Sequence, residues 1–137
     1  VYVGAPAQLP TPAPREPVKI VVHLSEDGPE HVRQVLDDVE GLLRLYRTNR
    51  QQARIEVVMN GDGLSLVRHD TSFAPERVRR MQKEYDNLSF VACQNAIDRL
   101  KRDKGIIAQL LPGVVVTDSG MAQLMRRQHQ GWAYIQA

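Results

Sequence analysis

The sequence predicts an α/β protein: a single three-layer α/β/α domain on an open, mainly parallel, five-stranded sheet. Short β-branched runs alternate along the chain with longer segments of helical periodicity, the order of a βαβ architecture. The first of those runs is apolar almost without interruption, as a strand buried on both faces of a parallel sheet is. The 137 residues, 42% hydrophobic and 25% charged, are the size and composition of one ordinary globular domain.

Residues 1–17 read as a proline-rich arm preceding a domain of residues 18–137. Pro6, Pro10, Pro12, Pro14 and Pro17 are five of the chain's 8 prolines, a spacing that forbids helix and ladder pairing and favours an extended arm or linker. The first strand is Val18 to Leu24. Asp27-Gly28-Pro29-Glu30 then supplies a cap, a proline at the first helical position and an early acid. The helix that follows carries Val32, Val35, Leu36, Val39, Leu42, Leu43 and Tyr46 on one stripe, enough to cover a sheet. Ala53 to Met59 is the second strand and stops at Asn60-Gly61-Asp62-Gly63, with a short helical segment expected over Leu64 to Val67.

Pro75 opens another helix with Val78, Met81 and Tyr85 on one face. Its basic residues Arg77, Arg79, Arg80 and Lys83, interspersed with Glu76 and Glu84, read as a solvated face. Leu88 to Ala92 is the third strand, and Cys93 stands between it and a helix bearing Ala96, Ile97 and Leu100 that Gly105 closes. Ile106 to Leu111 is expected to form a short apolar turn of helix, broken by Pro112-Gly113. Val114 to Thr117 is the fourth strand, and Asp118-Ser119 caps a helix with Met121, Leu124 and Met125 that ends at Gly131. Trp132 to Ile135 is the fifth strand, its aromatic residues expected in sheet packing or a subunit contact.

Composition excludes several classes of function. Lys+Arg of 18 against Asp+Glu of 16 leaves a net charge of only +2, so no nucleic-acid partner is implied. No stretch approaches the roughly 18 apolar residues of a membrane-spanning helix, and no membrane partner is expected. The single cysteine cannot form an internal disulfide, which removes the disulfide-stapled secreted scaffolds. The sequence begins at Val1 without an initiator methionine and reads as a processed or trimmed chain; Ala5-Pro6-Ala7 is a poor match to a signal-cleavage site because of its proline.

In an open parallel sheet ligands bind beyond the carboxyl ends of the strands. That rule gathers His23, Asn60, Gly61, Cys93, Asn95, Ser119 and Gly120 on one edge. Cys93 is the sharpest candidate, because a thiol at a strand-to-helix junction meets unpaired backbone amides and the positive end of a helix dipole, which favour the thiolate nucleophile. An equally weighted reading makes it a small apolar residue packed at a strand end. His23 is a candidate base or orienting group beside a thiol, although such residues are more often structural. His31, His69 and His129 have no metal-ligand spacing and HExxH is absent, so neither a metal nor a cofactor is expected. Gly61 and Gly63 begin a phosphate-loop pattern that Leu66 interrupts, leaving a tight turn. Ser119 lacks the Gly-x-Ser-x-Gly elbow of a serine hydrolase.

The order of several segments resembles the DsrE/DsrF-like family. These are Lys19 to Leu24 with its acidic turn, Arg54 to Met59, Val91-Ala92-Cys93-Gln94-Asn95, the Leu110-Leu111-Pro112-Gly113-Val114 turn, Ser119-Gly120, and above all the run from Arg126 to Ile135 ending in Gly-Trp-Ala-Tyr-Ile. The resemblance spans about residues 18 to 136. It implies a three-layer domain with flavodoxin-like layering that assembles into homo-oligomers, trimers or hexamers. It also implies intracellular sulfur oxidation or relay, with persulfide sulfur carried on a cysteine after the third strand, the position of Cys93.

Two functions follow. The first is a sulfur carrier in which Cys93 holds a persulfide received from a donor protein or molecule and passes it to an acceptor thiol on a partner. His23, Asn60, Asn95 and Ser119 would then orient the sulfur. The second is a non-catalytic oligomeric module binding a small anion or a partner protein at the same edge. An unpaired reactive thiol suits a cytoplasmic location; a periplasmic one, with a signal removed, is the alternative.

Overall fold

A computed structural model describes Gly4 and residues 16–137, so the expected proline-rich arm lies outside the described residues except for Gly4, Glu16 and Pro17. Five strands, β1 (Val18–Leu24), β2 (Ala53–Met59), β3 (Leu88–Cys93), β4 (Val115–Thr117) and β5 (Ala133–Gln136), pair in the order β4-β3-β2-β1-β5. Every pairing is parallel. The helices are α1 (Pro29–Thr48), α2 (Pro75–Glu84), α3 (Gln94–Lys104) and α4 (Gly120–His129), with a 3₁₀ helix over Gly61–Val67. The three-layer α/β/α fold is the one the sequence predicts. No helix among the described residues is long and apolar enough to cross a membrane.

The period-two alternation of the strands divides the core into two. On one face Ile20, Val22, Leu24, Ile55, Val57, Met59, Phe90 and Ala92 pack against α1, α2, the 3₁₀ helix and the start of α3. On the other, Val21, Val58 and Val91 meet Leu124 of α4 and Trp132. The stripe on α1 (Val32, Val35, Leu36, Val39, Leu43) is buried as its spacing requires, and at about 1.5–3 kcal/mol per fully buried aliphatic side chain it holds this helix on the sheet.

The N-cap of α1 is Gly28, with Pro29 opening the helix as the spacing predicts, and it makes no side-chain cap bond. Several local expectations change. The helical segment after β2 begins already at Gly61, because Gly63 must lie against the end of β1: a Cβ there would sit 2.1 Å from the Leu24 carbonyl oxygen. Residues 106–111 are not helical. Leu110 instead bridges Arg68 in antiparallel fashion and Ile107 is 75% exposed: the six-residue run lies between the left-handed Gly105 and Pro112-Gly113, and its backbone pairs with residues 67–69 through His69 N–H to Gln109 O and Leu111 N–H to Val67 O. Trp132 precedes β5 and packs under α4 rather than in the ladder.

The basic face of α2 is only partly solvated. Arg77 and Arg80 reach the buried carboxylate of Glu40 on α1, at 3.2 Å and 2.8 Å, and the Tyr85 hydroxyl donates to it at 3.1 Å. A second buried carboxylate, Glu56 of β2, accepts from Gln123 at 2.9 Å and from Arg127, whose guanidinium lies over the Trp132 ring at 4.3 Å. Each buried charge is thus paired, as low dielectric demands, and the Glu56 cluster pins α4 to the middle of the sheet.

Candidate functional site at the β3–β4 switch point

β3 and β4 lie side by side and end level, with Cys93 opposite Thr117. The helices that follow them leave on opposite faces: Ala96 of α3 joins the α1–α2 core, and Leu124 of α4 joins the other. Such a point of divergence opens a crevice at the carboxyl ends of the strands. Cys93 forms its floor.

Cys93 ends β3 and caps α3 through its backbone, yet its sulfur does not turn to that helix. The first amide of α4, Gly120 N–H, donates to Cys93 Sγ at 3.1 Å. The sequence-based expectation that the next helix in the chain serves the thiol is therefore corrected. Alternation explains it: Val91 faces α4, so the residue two further along faces it too. The approach depends on glycine, because a Cβ on residue 120 would meet Asn60 Cβ and Cys93 Cβ at 3.3 Å each.

The amino end of α4 is fixed from both sides. Ser119 Oγ accepts from Ala122 N–H at 3.2 Å, the cap that the sequence predicts. Asp118 accepts from Arg126 at 2.7 Å and from Ser119 N–H at 2.8 Å. The Arg126 guanidinium, then the Ser119 amide and the Thr117 hydroxyl, hold the Asp118 carboxyl down to about 2.

Above the sulfur is a cleft of about 260 Å³. Five predicted residues, Asn60, Gly61, Cys93, Asn95 and Ser119, line it together. Gly120 lies directly beneath the sulfur. His23 stands behind the wall, donating or accepting at one ring nitrogen each way: Nε2 is 2.9 Å from Asn60 Oδ1 and Nδ1 is 2.9 Å from the Tyr134 hydroxyl. With Asn60 Oδ1 as acceptor, Nε2 carries a proton and Nδ1 receives the Tyr134 proton in the neutral ring. His23 does not itself line the cleft and borders it through Asn60.

Sequence reasoning missed Ser25, Arg99 and Met121, which also line the cleft. Arg99 had a signal: it lies four residues after Asn95, on the same face of α3. It makes no ion pair or side-chain hydrogen bond among the described residues, and so lines the cleft as an unpaired cation. Among the described residues, no three His, Cys, Asp or Glu side chains converge as a metal site requires.

No protein-family model matches the chain, and no curated protein matches it. Among solved structures it is similar to the protein of unknown function MTH1491 from Methanobacterium thermoautotrophicum, with 31% identity and a TM-score of 0.74 over 88% of this chain and 99% of that one. The conserved protein of unknown function BT1422 from Bacteroides thetaiotaomicron shares the fold, with 16% identity and a TM-score of 0.59 over 87% of this chain and 94% of that one.

Proposed function

The chain belongs to the same family as MTH1491 of Methanobacterium thermoautotrophicum, a protein of unknown function, and within that family we propose that it is a sulfur carrier of the DsrE/DsrF-like kind. The Cys93 thiolate takes a sulfane sulfur from a donor, holds it as a persulfide and passes it to an acceptor thiol on a partner. The observation that carries this reading is the Gly120 amide aimed at Cys93 Sγ on the floor of an open cleft. An amide donor at a helix amino end stabilises negative charge on sulfur, whether thiolate or persulfide. With one cysteine in the chain, release by an internal disulfide is impossible and transfer is intermolecular.

Exposed apolar groups beside the cleft suit such a partner. Met121 on its rim is 61% exposed, and Met125, one turn further along α4, is 54% exposed. Assembly of several copies, as a trimer or hexamer, would cover these groups and the exposed Val115 and Val116 of the edge strand β4. A reducing cytoplasm is the compartment in which this thiol would work.

The burial of Cys93, 5% exposed, favours a second reading in which the residue only packs and the cleft binds a small anion through Arg99. Intact mass after incubation with a persulfide donor separates the two. One added sulfur on the wild type and none on Cys93→Ser supports the carrier; no addition, or equal addition to both, sinks it.

A further inference from the structure

We propose that the sulfur donor is a zwitterionic thiol persulfide, an amino acid or short peptide bearing both an ammonium and a carboxylate, and that its organic part lies in a second chamber adjoining the Cys93 cleft. This rests on the carrier reading above. Gly61, Ala96 and Arg99 line both spaces, so the cleft at the sulfur adjoins a second space of about 350 Å³ with these residues between them. That volume falls in the range of about 300–1,000 Å³ typical of small-molecule sites. Bare sulfide or a diatomic sulfur species would leave it unused.

The charges around the chamber give the ligand class. Arg99 and Lys104 lie along α3, whereas Asp27 of the β1–α1 turn and Asp62 of the 3₁₀ helix approach from the other elements. Arg68 and Asp103 also border the space but are neutralised locally, by Asp70 and Arg102. Arg99, Lys104, Asp27 and Asp62 form no ion pair among the described residues. Cations stand on one wall and anions on the others, held beyond salt-bridge reach of each other across a gap. A molecule with a carboxylate and an ammonium spans that gap and satisfies both; a simple oxyanion such as thiosulfate engages only α3 and is repelled by the acids.

With the donor so placed, its outer sulfur meets Cys93. The Sγ electron pair forms a new S–S bond to the donor's sulfane sulfur and the donor's own S–S bond breaks, its electron pair leaving on the donor thiolate. That thiolate takes up the proton of the sulfane sulfur. One sulfur atom moves, and no external oxidant or reductant enters.

The test measures the rate of sulfur addition to Cys93 in the full chain, by intact mass, against concentration of glutathione persulfide, inorganic hydrodisulfide and thiosulfate. The expected result is saturation with glutathione persulfide alone. In Asp62→Lys and Lys104→Glu the preference for glutathione persulfide over hydrodisulfide should fall about tenfold, the worth of one charge-assisted contact. Both sites are exposed, and an unchanged unfolding midpoint confirms that the variants fold. Equal, non-saturating rates from the persulfide and hydrodisulfide, unmoved by either substitution, overturn the donor assignment and leave the carrier reading standing. Absence of sulfur on Cys93 from every donor overturns both.

Discussion

Gly120 donates its backbone amide to the sulfur of Cys93 across 3.1 Å, joining two elements 27 residues apart in the chain. The contact exists because position 120 has no Cβ. An added methyl would press on Asn60 Cβ and Cys93 Cβ at 3.3 Å, tighter than such carbons normally approach, so either these side chains or the amino end of α4 must give by a few tenths of an ångström.

Gly120→Ala is therefore expected to lengthen the N–H···S bond and to slow alkylation of Cys93 by iodoacetamide about tenfold, the scale of one hydrogen bond to a charged group. Overpacking at this buried site should also lower stability by about 1–3 kcal/mol, read from urea unfolding. Unchanged alkylation in a variant that unfolds at a lower urea concentration would mean that the amide does nothing for the thiol.

The strand ends explain how much of this site could be read in advance. Val21-Val22-His23, Val58-Met59-Asn60 and Val91-Ala92-Cys93 are each a buried valine followed two residues later by a group with hydrogen-bonding chemistry. Period-two alternation puts all three on the face covered by α4, and the gathering of His23, Asn60 and Cys93 was legible to that extent. What the sequence could not supply was the strand order. The position of β4 beside β3, and hence the service of Cys93 by α4 rather than α3, depends on pairings between residues far apart in the chain. The run 106–111 has helical spacing but only six residues, too few to hold a helix against backbone pairing with residues 67–69, which lie far away in the sequence. Glu40 and Glu56 escaped notice because their burial depends on arginines contributed by other helices, a tertiary effect with no local pattern.

His23 should act on the cleft only through Asn60. Its Nε2 lies 2.9 Å from Asn60 Oδ1, which leaves the Asn60 amide N–H groups available to the cleft. His23→Phe removes that tether and should slow sulfur loading at Cys93 about threefold to tenfold, with about 1 kcal/mol lost from stability. His23→Gln, whose amide can donate to the same oxygen, should recover most of the rate. A loading rate insensitive to both substitutions would refute the positioning role; slow loading in both variants would instead implicate the imidazole itself.

Glu40 gives the clearest dependence of stability on pH. Its carboxylate, 3% exposed, is held down to about 2 by the hydrogen bonds of Arg80 above all, then by Tyr85 and Arg77, against the cost of burial. A folded-state value depressed below the unfolded one stabilises the protein above the unfolded value, near 4.5, and that contribution fades as pH falls toward 2. At about 1.4 kcal/mol per pH unit of depression, the loss over this window is about 3 kcal/mol at most. Urea midpoints of the wild type should therefore fall steeply between about pH 5 and pH 2. Glu40→Gln should be less stable near neutrality by about 3 kcal/mol or more, since Arg77 and Arg80 lose their shared counter-charge, and its midpoint should fall less over the same acid range. Parallel pH profiles for the two proteins would show that the carboxylate is not held as the Arg77–Arg80–Tyr85 geometry requires.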